Sequence, residues 1–172
     1  VEDAGYDIIG KKMTILGTGG AAASIIAQAA LDGVPEIDVI ARKGHSWGET
    51  EKVVERVNAG TDCKICMYEL ADQVQMKKSI EDSAILVNAS SVGMSPHEDS
   101  CLVPDQTFFH PELIVSDVIY NPRKTKLLRM AEDVGCSTFN GMYMLLYQGA
   151  YAFELWTGHE MPVGLVKEKY FS

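Results

Sequence analysis

The sequence predicts an α/β protein, a doubly wound parallel sheet of the Rossmann type, and three observations carry that prediction. Short β-like runs alternate with helical patterns from end to end, and such alternation implies a parallel sheet covered on both faces. A glycine-rich turn, Gly17-Thr18-Gly19-Gly20-Ala21-Ala22, stands directly between the first strand and the first helix. The chain has 172 residues, 47% of them hydrophobic, which allows one domain with a substantial core and is too apolar for disorder.

Each element has a local reason. Met13 to Leu16 is apolar and β-like and stops at Gly17. Ala21 to Leu31 is an Ala/Ile-rich helix closed by Asp32-Gly33, where glycine suits the left-handed position after a helix. Ile37 to Ala41 is the second strand. Ser46-Trp47-Gly48-Glu49 has the form of a capping box and opens a helix through Val53, Val54 and Val57 to Gly60. Cys63 to Tyr68 is the third strand, followed by a polar helix from Ala71 to Ile80. Ile85 to Val87 is an apolar strand ending at Asn88, and a long Ser/Pro/Gly loop, Ala89 to Pro104, follows it. Leu113 to Ile119 reads as a strand, and Thr125 to Val134 as a helix stopped by Gly135. A brief strand at Ser137 to Phe139 leads into a long apolar helix, Met142 to Thr157. Val163 to Tyr170 forms a last short helix.

Charge and cysteine usage narrow the function. With 15 basic and 24 acidic residues the formal net charge is −9, which argues against nucleic acid as a partner, because phosphate backbones are held by clustered Lys and Arg. No apolar run approaches the roughly 20 residues needed to span a bilayer, so no membrane partner is expected. The start, Val1-Glu2-Asp3, has neither an initiator Met nor the layout of a signal peptide, and reads as the start of an excised piece. Cys63, Cys66, Cys101 and Cys136 are too sparse for a disulfide framework and fit reduced thiols in the cytoplasm. Cys63 and Cys66, three apart on a strand, point to opposite faces, which excludes a shared metal. His45, His97, His110 and His159 match no ligand or triad pattern.

The glycine turn is the strongest chemical signal. Gly17 permits a tight turn, Gly19 lets a pyrophosphate approach the backbone, and Ala22 allows close packing of helix on strand. The free N–H groups at the helix start, from Thr18 to Ala21, then face the anion. NAD sites usually place an acid at the end of the second strand, about 20 residues after the glycines. Here that strand ends Ala41-Arg42-Lys43-Gly44, and the next acid in sequence is Glu49. Two cations at this point would pair with a 2′-phosphate, which favours NADP over NAD. The alternative is a solvated surface pair.

Further motifs add a family. Asn88-Ala89-Ser90-Ser91-Val92-Gly93-Met94-Ser95-Pro96 resembles the N-A-T/S-x-x-G-M-x-P loop of shikimate dehydrogenases. Asp117-Val118-Ile119-Tyr120-Asn121-Pro122, with Thr125 and Leu127-Leu128, is similar to that family's D-x-x-Y-N-P-x-x-T-x-L-L segment. Gln148-Gly149-Ala150 and Phe153 to Gly158 resemble the Q-G-A-x-x-F-x-L-W-T-G ending of the quinate/shikimate branch. The resemblance implies the NAD(P)-binding lobe of a bilobal enzyme, residues 1–172, whose N-terminal lobe with its catalytic Lys and Asp is absent. No catalytic residue is therefore carried over, and the chain alone is expected to turn nothing over. Gly17, Thr18, Gly19, Gly20, Ala21, Arg42, Lys43 and Gly44 would bind the dinucleotide. Ser91, Val118, Ile119 and Gly141 would line its nicotinamide side, and Tyr120 and Gln148 would serve the substrate. Tyr143 replaces the second glycine of the family's G-x-G-M-L segment.

The whole enzyme would interconvert 3-dehydroshikimate and shikimate, or oxidise quinate, a reaction of aromatic amino-acid biosynthesis; a homodimer is allowed for it. Read from the residues alone, Tyr120 is equally a core tyrosine capping the strand end, and Gln148 an amide that must find a partner if buried. The rival from another class is a nucleotide-sensing Rossmann module without turnover.

Overall fold

The structure is a computed structural model that describes residue 1 and residues 4–170. Among these, β1 (Met13–Leu16), α1 (Gly20–Leu31), β2 (Glu36–Ala41), α2 (Trp47–Gly60), β3 (Lys64–Glu69) and α3 (Gln73–Glu81) form the first half. The second half runs β4 (Ile85–Asn88), a short 3-10 turn at Gln106–Phe108, β5 (Ile114–Asp117), α4 (Lys126–Val134), β6 (Ser137–Phe139), α5 (Met142–Thr157) and α6 (Val163–Tyr170). The strands make one six-stranded sheet in the order β3-β2-β1-β4-β5-β6, with every pair parallel. That is the doubly wound order, whose direction reverses between β1 and β4.

Alternation along the central strands divides the core into two layers. Met13 and Ile15 of β1 join Ile37, Val39, Ile85 and Val87 against Ala22, Ile26 and Ala29 of α1 and Val54 of α2. On the opposite face Leu16, Ile40, Leu86 and Val115 pack against Met76 and Ile80 of α3 and Leu127, Leu128 and Ala131 of α4. Successive residues of a strand point to opposite faces, so each apolar run supplies both layers, as a parallel sheet requires.

Two expectations fail for identifiable reasons. Ser46 precedes α2 in helical conformation and makes no side-chain cap. Its hydroxyl is instead 2.8 Å from that of Thr18, so the capping box does not form. The strand expected over residues 113–119 is confined to Ile114–Asp117. It stops because the Asp117 side chain turns the chain, accepting the N–H of Ile119 at 3.0 Å.

Helices α5 and α6 stand apart from both layers. Leu146 is the only buried residue of α5 and α6 has none. Tyr147, Tyr151, Leu155, Trp156, Leu165 and Tyr170 are exposed, Trp156 at 84%. None of the described helices is long and apolar enough to cross a membrane.

Candidate functional site: a cleft at the carboxyl edge of the sheet

The site begins where pairing between strands continues past their ends. Gly17 N–H donates to the Ile40 carbonyl at 2.9 Å, Leu70 N–H to Ala41 at 2.8 Å, and Ala89 N–H to Leu16 at 2.9 Å. Val118 N–H donates to Asn88 at 3.0 Å and Gly141 N–H to Ile119 at 3.1 Å. One bond per junction holds the loops after all six strands side by side, on the edge where ligands of open α/β sheets bind.

Two glycines make this edge possible. Gly17 has φ of +119°, and a Cβ there would lie 2.9 Å from the Ala89 carbonyl oxygen. A Cβ on Gly141 would collide with the Val118 carbonyl. Gly19 and Gly20 differ, because a Cβ on either would meet nothing within 4 Å. They border open space at the start of α1, and Gly19, the residue before the helix, supplies no capping side chain. The backbone N–H groups of that first turn thus have room for an anion.

The cleft in front of this edge has a volume of about 950 Å³, near the top of the range of roughly 300–1,000 Å³ for cofactor sites. It brings together Gly17, Thr18, Gly19, Gly20, Ala21, Arg42, Lys43, Gly44, Ser91, Val118, Ile119 and Tyr120 from four separated stretches of sequence. Two further candidates are not on its wall. Gly141 is buried behind Val118 and Ile119, and Gln148 sits on the exposed surface of α5. His45, Ser46, Ser90 and Leu102 also line the cleft, although the sequence assigned none of them to a binding site. A hydroxyl beside a glycine turn carries no motif, and Leu102 arrives from a loop whose path sequence does not encode.

The two ends of the cleft are secured differently. At the glycine turn, the Thr18 carbonyl accepts the buried Thr50 hydroxyl at 2.8 Å, which ties the turn to α2. Beyond β2, Lys43 makes a 2.6 Å ion pair with Glu69, the last residue of β3, and lies over the Trp47 ring. That contact holds the Lys43 ammonium pKa above its ordinary value. Arg42 has no ion-pair partner among the described residues. At the other end, the buried Asp117 carboxylate accepts from Asn88 Nδ2 at 3.1 Å, from Ile119 N–H, and from the Thr125 hydroxyl at 2.7 Å. Asn88 Oδ1 accepts the Ser90 hydroxyl at 2.7 Å. Burial nonetheless raises the Asp117 pKa above 3.8, outweighing the three hydrogen bonds that lower it.

Fold and cleft together define a doubly wound α/β domain of the Rossmann type with its open site at the switch point. Comparison with known proteins then narrows the class. Residues 141–169 match the family model described as Shikimate 5'-dehydrogenase C-terminal domain. The chain is 53% identical over 171 residues to a shikimate dehydrogenase (NADP(+)) of Listeria monocytogenes, covering 99% of this chain and 59% of that relative. A solved shikimate 5-dehydrogenase of Listeria monocytogenes, in complex with shikimate and NAD, superposes with a TM-score of 0.91 at 53% identity, over 97% of this chain and 58% of that one. A second, in complex with NADP+, gives 0.78 at 29% identity, over 97% and 56%. Over nearly its whole length the chain is similar to shikimate dehydrogenases, and it spans about three-fifths of the length of the relatives it matches.

Proposed function

We propose that this chain is the cofactor-binding domain of an NADP- or NAD-dependent shikimate or quinate/shikimate dehydrogenase, with the catalytic Lys and Asp carried by a lobe outside these residues. The observation that carries the reading is the glycine turn at the switch point. Gly17 is locked against Ala89, while Gly19 and Gly20 face open space at the start of α1. Such a turn accepts a pyrophosphate on backbone N–H groups. The cofactor supplies hydride transfer; the protein binds it, orients it and excludes water. Arg42 and Lys43 would meet the 2′-phosphate, and Ser91, Val118 and Ile119 the nicotinamide side. Gly141 would shape that side from behind Val118.

Tyr120, 44% exposed at the rim, and Gln148 would face the substrate across the gap to the second lobe. The exposed apolar face of α5 supports such a lobe, because contiguous apolar surface marks a covered interface. The four free cysteines suit the cytoplasm.

The test is calorimetric titration of this chain with NADP+ and with NAD+. Binding of either, without shikimate oxidation, is the expected result, and binding of neither sinks the proposal. In the whole enzyme, Gln148→Ala should lower kcat/KM for shikimate or quinate about twofold or more while cofactor affinity holds.

A further inference from the structure

The sequence offers no acid beside Arg42 and Lys43, but the fold supplies one from another strand. Glu69 is the register partner of Ala41, and the Leu70 N–H bond to the Ala41 carbonyl at 2.8 Å fixes its backbone beside the loop that ends β2. Its carboxylate holds Lys43 Nζ at 2.6 Å. The ammonium also lies 5.8 Å from the centroid of the Trp47 ring, so both neighbours draw it to one side of the loop. We propose that Glu69 sets the cofactor preference of this cleft: it tethers Lys43 and places a negative charge beside the 2′ position, so that NAD is admitted alongside NADP.

The inference rests on the dinucleotide reading above. A 2′-phosphate carries up to two negative charges and gains most from cations free to turn toward it. Lys43 is already committed to Glu69, which leaves Arg42 as the unpaired cation of the loop among the described residues. The Glu69 carboxylate, within a Debye length of the same position, also opposes the phosphate while leaving a ribose hydroxyl unaffected. Both cofactors occur among the relatives: a solved structure 53% identical to this chain holds NAD, and another, 29% identical, holds NADP+. Because Lys43 and Glu69 are 62% and 51% exposed, the pair is weak and the preference it sets is modest.

The experiment is calorimetric titration of the chain and its Glu69→Gln variant with NADP+ and NAD+, at about 0.05 M and about 0.5 M salt. Glu69→Gln should tighten NADP+ roughly three- to fivefold at low salt and leave NAD+ within about 1.5-fold. The gain should collapse at high salt and shrink when Lys43→Ala is added. An unchanged NADP+/NAD+ affinity ratio, or weaker NADP+ binding, overturns the proposal, the latter by showing that Glu69 presents Lys43 to the phosphate. A gain that survives intact with Lys43→Ala overturns the tether. Failure of the unaltered chain to bind either dinucleotide would instead sink the underlying reading.

Discussion

On the β1–β2–β3 side of the cleft the loops are joined by an exposed ion pair, Lys43 to Glu69, and by a part-buried hydroxyl pair, Ser46 and Thr18. On the β4–β5–β6 side they are joined through buried groups: Asp117, Asn88 and Thr125, with Gly141 pressed against Val118. The contrast fits the roles proposed for the two sides. A surface that discriminates a phosphate from a hydroxyl needs charges that water can reach and a ligand can recruit. A surface that places a flat ring against a substrate needs backbone that does not move, and buried hydrogen bonds supply that stiffness.

Gly141→Ala should be the most damaging change to the buried side. Its Cβ would meet backbone, which cannot rotate away as a side chain can, so we expect a loss of about 3 kcal/mol or more in urea unfolding. A loss below about 1 kcal/mol would show that the β5 and β6 loops can part, and the contrast between the two sides would fail.

Asp117→Ala should follow at about 2 kcal/mol, because three donors lose their acceptor in a buried place. The pH dependence sharpens this. Since the Asp117 pKa is raised above 3.8 in the fold, the folded chain binds that proton more tightly than the unfolded one. Its contribution to stability therefore falls as pH rises from 3.8 through the folded value and is constant above it. Relative to Asp117→Asn, the unaltered chain should gain stability as pH falls across that window. A stability difference flat from pH 3.5 to 7 would contradict the raised value.

On the β1–β2–β3 side, Ser46→Ala should cost only about 0.5–1.5 kcal/mol, one neutral hydrogen bond. Thr18→Val in the Ser46→Ala background should add little, as expected if the two hydroxyls serve each other. Additive losses in that double-mutant cycle would give each hydroxyl a separate partner. Smallest and opposite in sign is Gly149→Ala in α5, where a Cβ meets nothing within 4 Å. It should stabilise by roughly 0.5–1 kcal/mol, seen as a higher Tm.

The same division explains what could be read from sequence. The glycine turn was legible because its spacing encodes backbone geometry, and Gly17 does take the left-handed conformation that only glycine adopts freely. The strands and helices were legible from their periods, to within a residue or two for most. Ser46 was misread because the capping pattern is local, while its actual partner, Thr18, is 28 residues away. Glu69 was invisible for the same reason: strand register, not sequence distance, sets it beside Ala41. Asp117 belonged to a recognisable segment, yet its hold on Asn88 and Thr125, and the shortening of β5 that its turn causes, depend on the fold. Gly141 and Gln148 carried family motifs, which do not say on which side of a wall a residue stands.

The chain has two tryptophans, and their placement gives each an optical character of its own. Trp47, half-buried and under the Lys43 ammonium beside the cleft, has an indole whose emission is sensitive to whatever displaces that cation. Trp156, 84% exposed on α5, already emits from water, and only a covering surface can shift it to the blue. Dinucleotide addition should therefore change the intensity of one fluorophore and leave the colour of the other alone, so that a single spectrum separates occupancy of the cleft from burial of the helix.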